Sequence, residues 1–253
     1  SYVVNSAGTS TVSVAFNNAG TLDVQSGTLS LNNGGTSSGV YTLTGILNHG
    51  GGNHLLTDTT FSGTGNFRQS NGTTTFNQVS VASYNPTNTD IISGTLIFNQ
   101  DASTANLSHS GGTLSNTANL AIADYNWTGG VLDGSGTTTV GNSLTVSGGA
   151  TKNLTDQTLI SSVLANYSGA GLWDFNAGSL INNGTFNDSS TGQIRSFGVG
   201  DNFTNNGSYV ANSAGTSTVS VAFNNTGTVD VQTGTLSLNN GGASSGSYTL
   251  SGI

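Results

Sequence analysis

Cysteine, methionine and glutamate are missing from this 253-residue chain, and a single proline interrupts it. Without sulfur there are no disulfides, no thiolate metal sites and no readily oxidised side chains. Cations are nearly missing too: Arg68, Lys152 and Arg195 stand against 11 carboxylates, all Asp, for a formal net charge of -8. A surface this poor in Lys and Arg cannot neutralise phosphates or cling to anionic lipid, which excludes nucleic acid and anionic membranes as partners. No run approaches the roughly 18 consecutive apolar residues of a membrane-spanning helix, and no charged-then-apolar leader opens the sequence. An export signal, if one is used, is expected outside these residues. Helix signals are also scarce, with no long 3.6-residue period.

What is present is glycine, 38 residues of it, and abundant Ser, Thr and Asn. Such a mixture is compatible with disorder, but 33% of the residues are hydrophobic. They fall in short alternating runs such as TLDV (21–24) and TLSL (28–31), which point to a folded all-β chain.

Repeats organise the chain. Residues 1–46 and 208–253 differ at seven positions only: Val4, Ala19, Leu22, Ser26, Thr36, Val40 and Thr44 are replaced by Ala211, Thr226, Val229, Thr233, Ala243, Ser247 and Ser251. The long period is therefore 207 residues, one repeat spanning 1–207 and the start of the next spanning 208–253. A chain that begins and ends inside a periodic unit reads as a window on a longer array. A shorter, degenerate period emerges on the pattern apolar-x-apolar-x-x-Gly-x-apolar-x-apolar-Asn, anchored at Gly27, Gly72, Gly94, Gly112, Gly130, Gly149, Gly178, Gly192, Gly215 and Gly234. Most anchors lie 18, 19 or 22 residues apart; gaps of 45 and 29 suggest a diverged turn near Gly50 and an insertion near Ala165.

Turns of about 20 residues, with short strands and Gly-rich corners, predict a right-handed parallel β-helix, or β-solenoid, with roughly ten turns per 207-residue repeat. Strands this short are unstable alone but use every backbone amide when stacked. Some twelve turns at about 4.8 Å each predict a rod of roughly 58 Å. Leu22 and Val24 are expected inside with Asp23 outside, and Phe67, Leu107, Tyr125, Trp127, Leu144, Val146, Trp173 and Phe175 are expected to stack on them. Asn32, Asn77, Asn99, Asn183 and Asn239 recur five residues after an anchor and predict an amide ladder.

The stretches FNNAGTLDVQSGTLSLNNGG (16–35) and FNNTGTVDVQTGTLSLNNGG (223–242) resemble repeats of large bacterial surface proteins, the filamentous-haemagglutinin-like adhesins and autotransporter passenger regions. The resemblance implies secretion, a right-handed β-helix and a role in adhesion, biofilm matrix or a cell-surface fibre. The family offers no catalytic residues to carry over.

Candidate chemistry is thin. Hydrolytic β-helices need carboxylates converging on one face; Asp23, Asp90 and Arg68 align at one outward position, and Asp124 and Asp133 are near in sequence, but solvated turn residues explain such scattered Asp equally well. His49 and His54 in HGGGNH, with His109, are the only imidazoles; two His five apart without a nearby carboxylate read as a solvated loop rather than a metal site. LDGSGTTT (132–139) is one poor match to a calcium nonapeptide, so no metal is assigned. Trp127, Trp173, Tyr125 and Phe175 would make a sugar platform if exposed, yet their parity puts them in the core. Threonine runs at 73–75 and 137–139 occur in two turns only, too few for an ice-binding array. Asn71, Asn106, Asn126, Asn166 and Asn202 head glycosylation sequons of the kind a Ser/Thr-rich chain contains by chance. The expectation is a non-enzymatic, extracellular structural or adhesive fibre, with no catalytic residues, no metal and no cofactor. Its partners would be further copies of the repeat, end to end, and cell-surface or matrix glycans. The alternatives are a carbohydrate-active β-helix, such as a polysaccharide lyase or tailspike-like depolymerase, and a carbohydrate- or ice-binding module.

Overall fold

The structure, a computed structural model, describes residues 1–77 and 84–251; Gly252 and Ile253, at the end of the second copy, lie outside the described residues. Every regular element among them is a β-strand. The chain divides into two compact bodies, Ser1–Ile122 and Ala123–Ile253, and each is a parallel β-solenoid.

In the first body the described strands fall on three faces. Residues 21–24, Val40–Leu43 and Thr60–Ser62 pair in parallel on one face. Residues 28–31, Ile46–His49, Asn66–Gln69, Asn88–Ile91 and 106–109 stack on the next. Gly35–Ser37, Asn53–Thr57, Thr73–Asn77, Thr95–Phe98 and Thr113–Asn116 form the third. The aligned residues Thr28, Ile46, Asn66, Asn88 and Asn106 step by 18, 20, 22 and 18, the expected turn of about 20.

The second body repeats the plan. Gly130–Asp133, Lys152–Thr155, Trp173–Asn176, Gln193–Ser196, Thr216–Ser220 and Thr235–Leu238 make one face. Residues 137–140, Thr158–Ser161, Ser179–Asn182, Asn202–Asn205 and Ala222–Asn225 make another. Residues 143–146, Leu164–Tyr167, Thr185–Asp188, Ser208–Ala211, Thr228–Val231 and Ser247–Leu250 make the third, where aligned residues step by 21, 21, 23, 20 and 19.

These segments become strands because their residues alternate in burial, with β-branched and aromatic side chains turned alternately inward. All the expected core positions, from Leu22 and Val24 to Trp173 and Phe175, are buried. Their columns differ from the expected ones. Leu22 lies in register with Tyr41, and Tyr41 with Phe61, whereas Phe67 lies in register with Leu47 on a different face. Leu144 stacks with Ala165 and Phe186, while Trp173 stacks with Lys152 and Ile194. Aromatic contacts tie successive turns together: Tyr41 to Phe61 at 4.7 Å, and Phe186 over Tyr209 at 5.4 Å with planes 8° apart.

The cause of the misplacement is that one glycine pattern serves more than one corner. Gly72, Gly94 and Gly112 follow the second face of the first body, and a Cβ on each would strike the carbonyl oxygen of Gly52, Gly72 and Gly94 respectively. Their φ values of +72°, +72° and +74° add a second reason for glycine. Gly27 sits instead at the corner before that face, stacked with Gly45. The gap of 45 residues between Gly27 and Gly72 therefore spans a change of corner, and the turn near Gly50 is an ordinary one with Gly52 in the anchor position. Likewise no insertion exists near Ala165. Thr158–Ser161 and Leu164–Tyr167 are regular strands, and Gly178 merely belongs to another corner, between Trp173–Asn176 and Ser179–Asn182.

Candidate functional site

The carboxylates singled out in the sequence do not gather. Asp90 meets Arg68 of the adjacent turn at 3.3 Å and accepts from the Asn66 amide at 2.5 Å. Asp23 aligns with Thr42 on a different face and accepts from Gln25 at 2.6 Å, so its expected alignment with Arg68 and Asp90 fails. Asp124 accepts from Asn142 at 2.8 Å, and Asp133 lies on another strand, in register with Thr155. Among the described residues no three of His, Cys, Asp or Glu stand close enough to hold a metal ion.

The histidines overturn the solvated-loop expectation. His49 shares the inward parity of Leu47, and His54 that of Leu56, so the intervening glycines fold the chain back and stack the two rings inside, 3.8 Å apart. The Thr74 hydroxyl donates to Gln69 Oε1 at 2.6 Å, which makes it the acceptor for His49 Nδ1–H at 2.7 Å. His49 Nε2 is then an acceptor without a partner. Burial, joined by the neighbouring His54, holds the His49 pKa well below the usual imidazole value. Burial also lowers His54, partly opposed by the carbonyls of Gly51 and Leu31. His109 is buried in the same body, and burial pushes it down to about 4. These are neutral interior imidazoles, packed where a leucine would otherwise sit.

The interior of the second body carries other polar groups. Asn182, Asn205 and Asn225 are all fully buried; the Asn182 amide donates to the Asn205 carbonyl at 2.7 Å and the Asn205 amide to the Asn225 carbonyl at 2.8 Å, while the Asn225 amide ends the stack without a partner. Sequence reasoning misses this ladder; its signal is Asn-x-Gly, at Asn182–Gly184, Asn205–Gly207 and Asn225–Gly227. Of the expected ladder, Asn99 donates to Asn77 at 2.7 Å, whereas Asn183 pairs with Asn206, Asn239 with Ser220, and Asn32 with Ser30. Lys152 is buried and donates to the carbonyls of Ser147 and Ala150 at 2.7 and 2.9 Å, and burial lowers its pKa. Asp188 is buried beneath Tyr209, whose hydroxyl donates to it at 2.6 Å. Burial first, and then the Asp188 charge, raise the Tyr209 pKa.

On the outside, neither threonine run makes an exposed array, because the middle residue of each, Thr74 and Thr138, points inward. Trp127, Trp173, Tyr125 and Phe175 are interior as expected. Among the described aromatic rings Phe197 is the most exposed, at 65%, ahead of Tyr248 and Tyr2. It borders a cleft of about 440 Å³ on the second body, lined also by Asn153, Thr155, Asp174 and Asn176. Arg195 beside it forms a two-pronged ion pair with Asp174, both bonds 2.8 Å.

The fold and the surface thus define a β-solenoid repeat protein with a neutral-polar exterior and a mixed apolar and amide interior. Compared with protein-family models, with curated proteins and with solved structures, the chain matches none.

Proposed function

We propose that this chain is a segment of an extracellular structural or adhesive fibre, built by repeating the 207-residue unit along a continuous β-solenoid. One observation carries the proposal: the two copies of the 46-residue segment form the same corners, and the first copy displays how succeeding turns cover such a segment. Residues 28–31 pair with Ile46–His49, and Phe61 stacks on Tyr41. In the second copy Thr228–Val231 pairs with Ser247–Leu250 in the same register as residues 21–24 with Val40–Leu43 in the first, so the same turn is built twice, 207 residues apart. Near-absence of Lys and Arg suits an exposed protein that must survive trypsin-like proteases. Scattered, individually partnered carboxylates favour a non-catalytic role over a glycan-cleaving one.

The test is to image chains of one, two and three 207-residue repeats by electron microscopy. About ten turns at about 4.8 Å predict a thin filament that lengthens by roughly 50 Å per added repeat. Particles whose length does not grow with repeat number would refute the fibre.

A further inference from the structure

From the geometry of the second body we infer that the cleft beside Phe197 is a binding site for a neutral oligosaccharide. This deepens the fibre reading by giving its adhesive face a ligand class, and it rests on that reading only for its biological setting. The cleft lies on strands Gly130–Asp133, Lys152–Thr155 and Trp173–Asn176, with Phe197 just after Gln193–Ser196 at its border, and outward residues align turn over turn: Val131 with Asn153, Asn153 with Asp174, Asp174 with Arg195, and Thr155 with Asn176. Polar groups therefore repeat about every 4.8 Å along the cleft, close to the rise of one sugar in an extended glycan.

Three features select the ligand. The first is Phe197, which stands clear of the surface with one side near the Arg195 guanidinium, 4.9 Å from the ring centroid. Its remaining exposed surface offers an apolar platform of the kind that the C–H face of a pyranose covers. The second is the set of hydrogen-bonding groups: the amides of Asn153 and Asn176 and the hydroxyl of Thr155 border the cleft and take no hydrogen bond from any described side chain. Amides and a hydroxyl, each able to donate and accept, match sugar hydroxyls. The third is charge. Arg195 is held bidentately by Asp174, so among the described residues the cleft has no free cation for a sulfate, phosphate or uronate, and the chain carries a net charge of -8. A peptide strand is disfavoured as well, since strands Lys152–Thr155, Trp173–Asn176 and Gln193–Ser196 are all paired on both sides and offer no open backbone edge.

The platform is held in place before any ligand arrives. Asp201 accepts from the Phe197 and Gly198 amides at 3.1 and 2.8 Å, from the Ser196 hydroxyl at 2.6 Å and from the Gly178 amide at 3.0 Å. That fastening fixes the loop bearing Phe197, which lowers the ordering cost of binding. A cleft of about 440 Å³ falls within the range of small-ligand sites, roughly 300–1,000 Å³.

Titration calorimetry of the whole chain with cellotetraose, maltotetraose and mannotetraose tests the site, with tetragalacturonate as the charged comparison. At least one neutral tetrasaccharide is expected to bind, at least tenfold more tightly than tetragalacturonate. Phe197→Ala is expected to weaken that binding tenfold or more, and Phe197→Trp to keep it. Val199→Ala, on the same loop, 94% exposed and outside the cleft lining, is expected to leave it within twofold. Absence of binding by all three neutral sugars, undiminished binding by Phe197→Ala, an equal loss in Val199→Ala, or equal binding of tetragalacturonate would each overturn the assignment. Filaments that lengthen with repeat number but bind no sugar would sink the cleft alone; sugar binding without such filaments would sink the fibre alone.

Discussion

The 46-residue segment that occurs twice in this chain forms the same bends in both places and is buried to very different extents. Gly27 and Gly234 have φ of +64° and +67°, and Gly35 and Gly242 have +139° and +133°. A Cβ on Gly35 would strike the Phe16 carbonyl, and one on Gly242 the equivalent Phe223 carbonyl. Yet Tyr2 is 39% exposed while its counterpart Tyr209 is fully buried against Phe186. The relation inverts at the other end of the segment: Tyr41 and Leu43 are buried, whereas Tyr248 and Leu250 are exposed. Local sequence sets corner geometry and the parity of each strand. The neighbouring turns decide how much of that parity becomes buried area, and so how much stability it yields.

The largest test of this contrast exchanges tyrosine for alanine in both copies. Tyr209→Ala, which removes a buried ring and its bond to Asp188, is expected to cost about 4 kcal/mol, and Tyr2→Ala under about 1 kcal/mol, by urea unfolding. Similar losses at the two sites would break the comparison. In the opposite direction, Leu29→Ala is expected to cost about 3 kcal/mol against about 1 kcal/mol for Leu236→Ala, because Leu29 is covered by Leu47 and Leu236 is half-buried.

Acid should separate the copies further. His49, just beyond the first copy, covers Leu31; it is neutral in the fold with a pKa below that of the unfolded chain, as are His54 and His109. The unfolded chain therefore binds more protons below about pH 6.5, and stability is full above that pH and falls as pH drops toward the folded values. For His109, lowered to about 4, the loss amounts to about 3 kcal/mol. Hydrogen exchange at pH 7 and pH 5 checks this: amides of residues 28–31 and 46–49 should lose protection while those of residues 228–231, in a stretch without histidine, change little. A flat profile in the first body would contradict the neutral interior imidazoles. The smallest expected effect concerns the amide ladder that the second copy joins through Asn225. Asn205→Ala, in the middle of the ladder, should cost about 2 kcal/mol, and Asn18→Ala, the counterpart of Asn225 at the partly exposed start of the first copy, under about 0.5 kcal/mol.

Much of the architecture is legible in the sequence because strand parity is a strictly local property. Alternation alone assigns Leu22, Trp127, Leu144 and Phe175 to the interior, and all are buried. Column membership is not legible, since Gly27 and Gly72 carry similar flanking patterns at different corners. His49 and His54 read as a loop because three glycines separate them from an obvious period, although Leu47–His49 and His54–Leu56 do alternate. The interior asparagines escape notice because a buried amide and an exposed one look identical in sequence; the partner that makes burial tolerable comes from the next turn. Phe197 gives no periodic signal at all, since its exposure arises from the loop that Asp201 organises.

The sequence alone determined the all-β chain, the turn of about 20 residues, the glycine corners and the side of each strand that faces inward, because these depend on neighbours along the chain. Only the tertiary structure decided which turns share a column, which polar residues the interior accepts and that the Phe197 ring stands outside. Those outcomes depend on contacts between residues some 20 positions apart, whose register a local pattern does not encode.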